Sequence, residues 1–156
     1  MTGLPPGLPN YGPLMIKSVN DTNVWVAGIH WQTGAGYRIL LHWKQRRFQH
    51  FISADILFEI IRVLRQVLGY PDEELYHWYW LLITGSTFVI PRAKPNVILE
   101  DPDDDKFIAC AIEGQADYIV SEDKDLRRLG HYEHIRILGK QAFLGMLEAV
   151  EQPSAN

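Results

Sequence analysis

Ala116-Asp117-Tyr118-Ile119-Val120-Ser121-Glu122-Asp123-Lys124-Asp125-Leu126 decides the fold. Tyr118, Ile119 and Val120 form an apolar run that reads as a strand, and a dense group of acids follows directly. Residues 16–20 have the same form and run straight into Asp21-Thr22-Asn23. Asp21 and Asp123 thus stand one to three residues beyond the ends of two strands. In an open α/β sheet that edge is where ligands bind, because loops and helix N-termini converge there.

Working outward, residues 37–43 read as a helix, with Ile39, Leu40 and Trp43 at helical spacing, and residues 48–52 as a second strand. Ser53 offers an N-cap for the clearest helix of the chain, whose apolar positions are Ile56, Leu57, Ile60, Leu64, Val67 and Leu68. Gly69, as a left-handed cap, and Pro71, as a breaker, terminate it. A helix over 72–84, a strand over 87–90 and a proline-rich connection over 91–95 follow. A further helix carries Phe107, Ile108, Ala111 and Ile112; a strand at 135–138 and a closing helix at 141–150 complete the chain. Apolar strands alternating with helices predict an α/β fold, a parallel sheet covered on both faces. The expected organisation is a flexible Pro/Gly-rich leader at 1–15, one domain at 16–150 and a disordered tail at 151–156.

Composition agrees with one globular domain: 156 residues are enough for a substantial core, and 47% hydrophobic with 22% charged residues argues against disorder. The net charge of −4 exerts no global pull on polyanions, but its distribution is uneven. Lys44, Arg46, Arg47, Arg62 and Arg65 form a basic strip, whereas Glu100, Asp101, Asp103, Asp104 and Asp105 form an acidic knot. Solvated helix faces would give the same pattern. The single cysteine, Cys110, excludes an internal disulfide, reads as a small core residue and fits a reducing, cytoplasmic setting. No apolar run reaches membrane-spanning length.

Glu59 lies three residues after Ile56 and four before Val63, at the margin of its helix's apolar stripe, where a carboxylate needs a partner. Asp104 precedes Phe107 and Ile108 by three and four residues and shares their inward face. Asp21, Glu59, Asp104 and Asp123 would repel one another if gathered without cause; a shared divalent cation is the simplest reason to bring them together. The plainer readings are dipole-complementing helix caps at Asp101 and Asp104 and an ordinary turn at Asp21-Thr22-Asn23.

These stretches carry a resemblance to PIN-domain ribonucleases. Asp21-Thr22-Asn23-Val24 resembles that family's opening motif, and the segment from Ser53 to Glu59 its serine-started acidic helix. Asp101-Pro102-Asp103-Asp104-Asp105-Lys106-Phe107 resembles the third motif, and the stretch quoted first the fourth. All four stand in family order between about residues 16 and 147, and the likeness is closest to the VapC-like toxins of bacterial toxin–antitoxin pairs. The resemblance implies a three-layer α/β/α fold with a mainly parallel sheet and a magnesium- or manganese-dependent endoribonuclease. Asp21, Glu59, Asp104 and Asp123 would be its metal-binding and catalytic acids, with Asp21, Asp104 and Asp123 dominating metal contact and Glu59 acting through a second metal or a bound water. Asn23 and Ser121 would orient the acids by hydrogen bonds, with Asp125 and Asp101 outside them or capping helices. Lys44, Arg46, Arg47, Arg62 and Lys124 are the RNA-binding candidates. Two positions depart from the family pattern: Asn20, where an aliphatic residue is usual, and Glu122, where a small or neutral one is.

Residues 75–82 carry Tyr76, Trp78, Tyr79 and Trp80 with apolar positions all round, a helix that must be covered on more than one side. A homodimer contact or a cognate antitoxin segment is the expected cover. His131 and His134 lack the further ligands of a zinc site and read as a polar surface loop. Gly34-Ala35-Gly36 lacks the context of a dinucleotide fingerprint, and no serine sits in a nucleophile elbow. A housekeeping RNA-processing nuclease of the same fold, and a non-catalytic metal- or RNA-binding module, are the alternative functions.

Overall fold

Six strands form one sheet in the order β3-β2-β1-β4-β6-β5 in the computed structural model, which describes residues 15–151. Apart from Met15 and Glu151, the leader and the tail therefore lie outside the described residues. The central strands are β1 (Lys17–Asn20), β2 (Gln49–Ile52), β4 (Tyr118–Val120) and β6 (Ile135–Leu138). All pair in parallel, and only the edge strand β5 (His131–Tyr132) runs antiparallel, against β6. From β1 the chain winds outward through β2 to β3 (Thr87–Phe88), returns across the centre to β4, and winds outward again to β6. That reversal opens a crevice beside the carboxyl ends of β1 and β4.

The connections are helical: α1 (Thr22–Trp31), α2 (Gly34–Lys44), α3 (Ala54–Gln66), α4 (Asp72–Gly85), α5 (Asp105–Gly114), α6 (Lys124–Leu129) and α7 (Lys140–Glu151). In α3 the expected stripe is buried at Ile56, Leu57, Ile60 and Leu64; each such side chain contributes roughly 1.5–3 kcal/mol of burial. Gly69 adopts the expected left-handed conformation, φ 72°. Tyr70 N–H returns to Leu64 O at 2.9 Å and closes the helix end. Ser53 holds the N-cap position of α3 but makes no side-chain capping bond.

Several elements differ from the sequence expectation. Asp21-Thr22-Asn23 opens helix α1 instead of forming a turn, and α1 and α2 pack so closely that a Cβ on Gly28 would meet Gly36 O at 2.6 Å. The strand expected over 87–90 ends at Phe88, with Val89 N–H still donating to Ile52 O at 2.9 Å. His131 belongs to the edge strand β5, and Glu133, at φ 52°, makes the turn into β6. The aromatic helix α4 buries Leu75 and Leu82 and leaves Tyr76 and Trp80 exposed. Among the described residues no helix is long and apolar enough to cross a membrane.

Candidate active site

The carboxyl ends of β1 and β4 are tied by Asp21 N–H donating to Val120 O at 2.9 Å. The Asp21 side chain is buried and uses both oxygens: Oδ1 accepts from Val24 N–H at 2.9 Å, capping α1, and Oδ2 accepts from the Ser121 hydroxyl. Ser121 Oγ in turn accepts from Asp123 N–H at 2.9 Å. Asp123 caps α6, its Oδ1 accepting from Asp125 N–H at 2.9 Å and Leu126 N–H at 3.2 Å. One buried serine thus fixes the acids that follow both central strands.

Asp104 arrives from the third direction. It ends a 3-10 turn, Pro102–Asp104, and stands at the start of α5 without making any side-chain capping bond. Its Oδ2 is buried and has no hydrogen-bond partner. Carboxylate oxygens of Asp104, Asp123 and Asp125 lie within 4.8 Å of one another. Burial foremost, then the charges of Asp123 and Asp101, the hydrogen bond to Asp123 that its protonated form gains, and the charge of Asp21 push the Asp104 carboxyl up to about 7. Burial likewise raises Asp21 to about 6, against the lowering effect of its bonds to Ser121 and Val24. Both shifts come from burial and mutual repulsion, and the exposed Arg128, 3.6 Å from Asp125 Oδ1, is a counter-charge to the cluster. Three carboxylates and an orphaned buried oxygen are the donor set that a hard divalent cation takes, and the residues fit such an ion.

Asp125, expected outside the central acids or as a cap, stands in the cluster. Asp101 is near enough to act on Asp104 and makes no capping bond. Glu59, like Asp21, is outside the group of three carboxylates within 4.8 Å; it accepts from the Thr22 hydroxyl and from Lys106 Nζ, with Arg62 at 4.0 Å. The helix-wheel position of Glu59 was correctly read as half-buried; its partner is an ammonium from α5. Asn23 is exposed; the hydroxyl bonded to Asp21 is that of Ser121, and the Thr22 hydroxyl donates to Glu59.

The basic strip divides. Lys44, Arg46 and Arg47 lie between α2 and β2, and Gln49 pairs with Lys17 at the start of β1. They therefore occupy the amino-terminal edge of the sheet, opposite the acids, and cannot reach the same phosphate. Arg62 and Lys124 remain on the acidic side, Arg62 lining a cavity of about 510 Å³ with Phe58, Glu59, Lys94 and Lys106. Glu122, the added charge beside Asp123, accepts from Lys140 N–H at 2.7 Å at the start of α7 and pairs with Arg127 at 3.4 Å. Asn20 accepts from Ser18 Oγ at 2.9 Å, and its backbone N–H donates to His50 Nε2 at 3.0 Å.

Comparison with known proteins agrees with this geometry. No curated protein matches the chain in sequence. A solved structure, PAE2754 from Pyrobaculum aerophilum, is similar with a TM-score of 0.51 over 86% of this chain and 90% of that one. The identity is 14%, so the likeness speaks for the fold. The PIN domain family model matches residues 17–125, from β1 through all the acids described above. By that match the chain belongs to the PIN domain family.

Proposed function

We propose that this chain is a magnesium- or manganese-dependent endoribonuclease, the toxin of a VapC-like toxin–antitoxin pair acting in the cytoplasm. PIN domains are generally nucleases. The observation that carries the metal-dependent reading is the buried, unpartnered Oδ2 of Asp104 beside the Asp123 and Asp125 carboxylates. Asp104, Asp123 and Asp125 would hold the ion, with Asp21 behind them. A bound ion supplies an activated water and neutralises charge on the phosphate. Ser121 holds the Asp21 carboxylate and the Asp123 backbone in one geometry, so the site is organised before substrate arrives. Lys124 and Arg62 are the cations placed to meet the RNA backbone at this edge. Single-stranded RNA suits such an open crevice, since its unstacked bases leave the phosphate accessible. The exposed Tyr76 and Trp80 of α4 provide the surface for a homodimer or for the antitoxin.

The test is cleavage of a defined single-stranded RNA with added magnesium. Asp104→Asn and Asp21→Asn are expected to lower the rate by at least about a hundredfold while the protein remains folded. Wild-type rates in both variants would refute the assignment. Growth arrest on expression, relieved by a neighbouring gene product, tests the toxin role separately.

A further inference from the structure

We infer that Lys106 is a built-in cation of this centre: with Glu59 and Asp103 it fills the place a second metal ion would take, so that the folded chain binds one divalent ion. The inference rests on the metal-dependent reading above and concerns how many ions that centre holds. Lys106 leaves α5 two residues after Asp104, yet its side chain is only 10% exposed, unusual for a lysine unless it is paired. Its Nζ donates to Glu59 Oε2 and, at 2.6 Å, to Asp103 Oδ2. Glu59 is 18% exposed, and its other oxygen is taken by the Thr22 hydroxyl. Both Glu59 oxygens are therefore engaged by protein donors.

The two acidic groups flank one turn of chain and differ in what neutralises them. Around Asp104 an oxygen remains buried and open. Around Glu59 the cation is covalently tethered, Lys106 Nζ donating to both Glu59 and Asp103. An ammonium already bonded to these carboxylates repels a divalent ion on the same oxygens and uses lone pairs the ion would need, which weakens a second metal site there. Thr22 adjoins Asp21, so this ion pair also braces the start of α1 against α3 and α5.

Manganese binding to the full chain, measured by titration calorimetry and by equilibrium dialysis with metal analysis, tests this. One ion per chain is expected for the native protein, and two for Lys106→Met, the second more weakly held. Glu59→Gln should keep one ion with affinity changed by no more than a few-fold. That variant keeps the side chain's shape and carries the test even if Lys106→Met fails to fold. Native protein taking up no manganese would overturn the metal-dependent reading itself. Two ions on the native chain, or one on folded Lys106→Met, would overturn the role of Lys106 and leave that reading standing. A loss of about tenfold or more in affinity for Glu59→Gln would place Glu59 on the ion and likewise overturn it.

Discussion

Asp21, Asp104 and Asp123 share a crevice but are held differently. Asp21 and Asp123 each cap a helix, whereas Asp104 caps nothing. Its charge is thus a cost to the metal-free fold with no structural return. An acid whose pKa is raised on folding binds more protons folded than unfolded between its ordinary value of 3.8 and the raised one of about 7. Without metal, stability accordingly falls as pH climbs through that window. Buried His50, pushed down to about 3, acts the other way, since only the unfolded chain takes up its proton below 6.5. Asp104→Asn removes its share of the first slope; Asp21, raised to about 6, keeps a part of it, and the His50 slope stays. In urea unfolding with chelator, that variant is expected to exceed the native chain by on the order of 1 kcal/mol at about pH 8, with the gap closing near pH 4. No gap at the higher pH would mean the carboxylate is well solvated. At this scale the sequence was legible for position and blind to partners. Strand ends placed Asp21 and Asp123, but nothing in the helical wheel of Glu59 named Lys106. The spacing of Asp103 and Lys106, three apart on a helix, was the available signal. Asp125 was underrated because the Asp123 cap bends the chain back and brings both carboxylates to one side.

Among the elements, α3 was readable because charged residues set off its apolar stripe, and α1 was not because its buried stripe is flanked by further apolar residues. Val24, Trp25, Gly28 and Ile29 are buried on α1, and Val26 packs partly against the core, so the helix is enclosed by α2 and α3. Apolar Val26, Ala27 and Trp31 off that face blur its helical period in the sequence. What admits α1 is close backbone approach at Gly28, where a methyl group would strike Gly36 O. Gly28→Ala should therefore cost about 1–3 kcal/mol despite its better helix propensity. A chemical-denaturation midpoint at or above the native value would show that α1 and α2 separate easily. The basic strip was misassigned for a different reason: charge counts have no direction. The direction was nonetheless deducible, since residues entering β2 in a parallel sheet must lie at the edge opposite those leaving β1.

For the whole molecule, winding outward, returning across the centre and winding outward again brings three distant acidic segments to one crevice; the alternation of apolar strands and helices foretold the parallel sheet but not the strand order. On the metal-dependent reading proposed above, the ion would bind only the folded chain, so millimolar magnesium should raise Tm, by about 2–4 °C per kcal/mol of binding free energy for a chain of this size. The rise should vanish in Asp104→Asn; an equal rise in that variant would place binding elsewhere. Tyr76 and Trp80, 66% and 46% exposed on α4, are expected to bury themselves between two copies. Size-exclusion chromatography at micromolar concentration should show a dimer that Tyr76→Lys with Trp80→Lys converts to monomer, and a native monomer would refute the arrangement. The caps have a longer consequence. Asparagine caps a helix about as well as aspartate, so exchanging one oxygen for an amide at Asp21 or Asp123 would silence the chemistry and leave the architecture standing. On the toxin reading proposed above, a lineage with this layout would lie one codon step from an inert look-alike, expected to bind the same antitoxin as the active form and so to draw that restraint away.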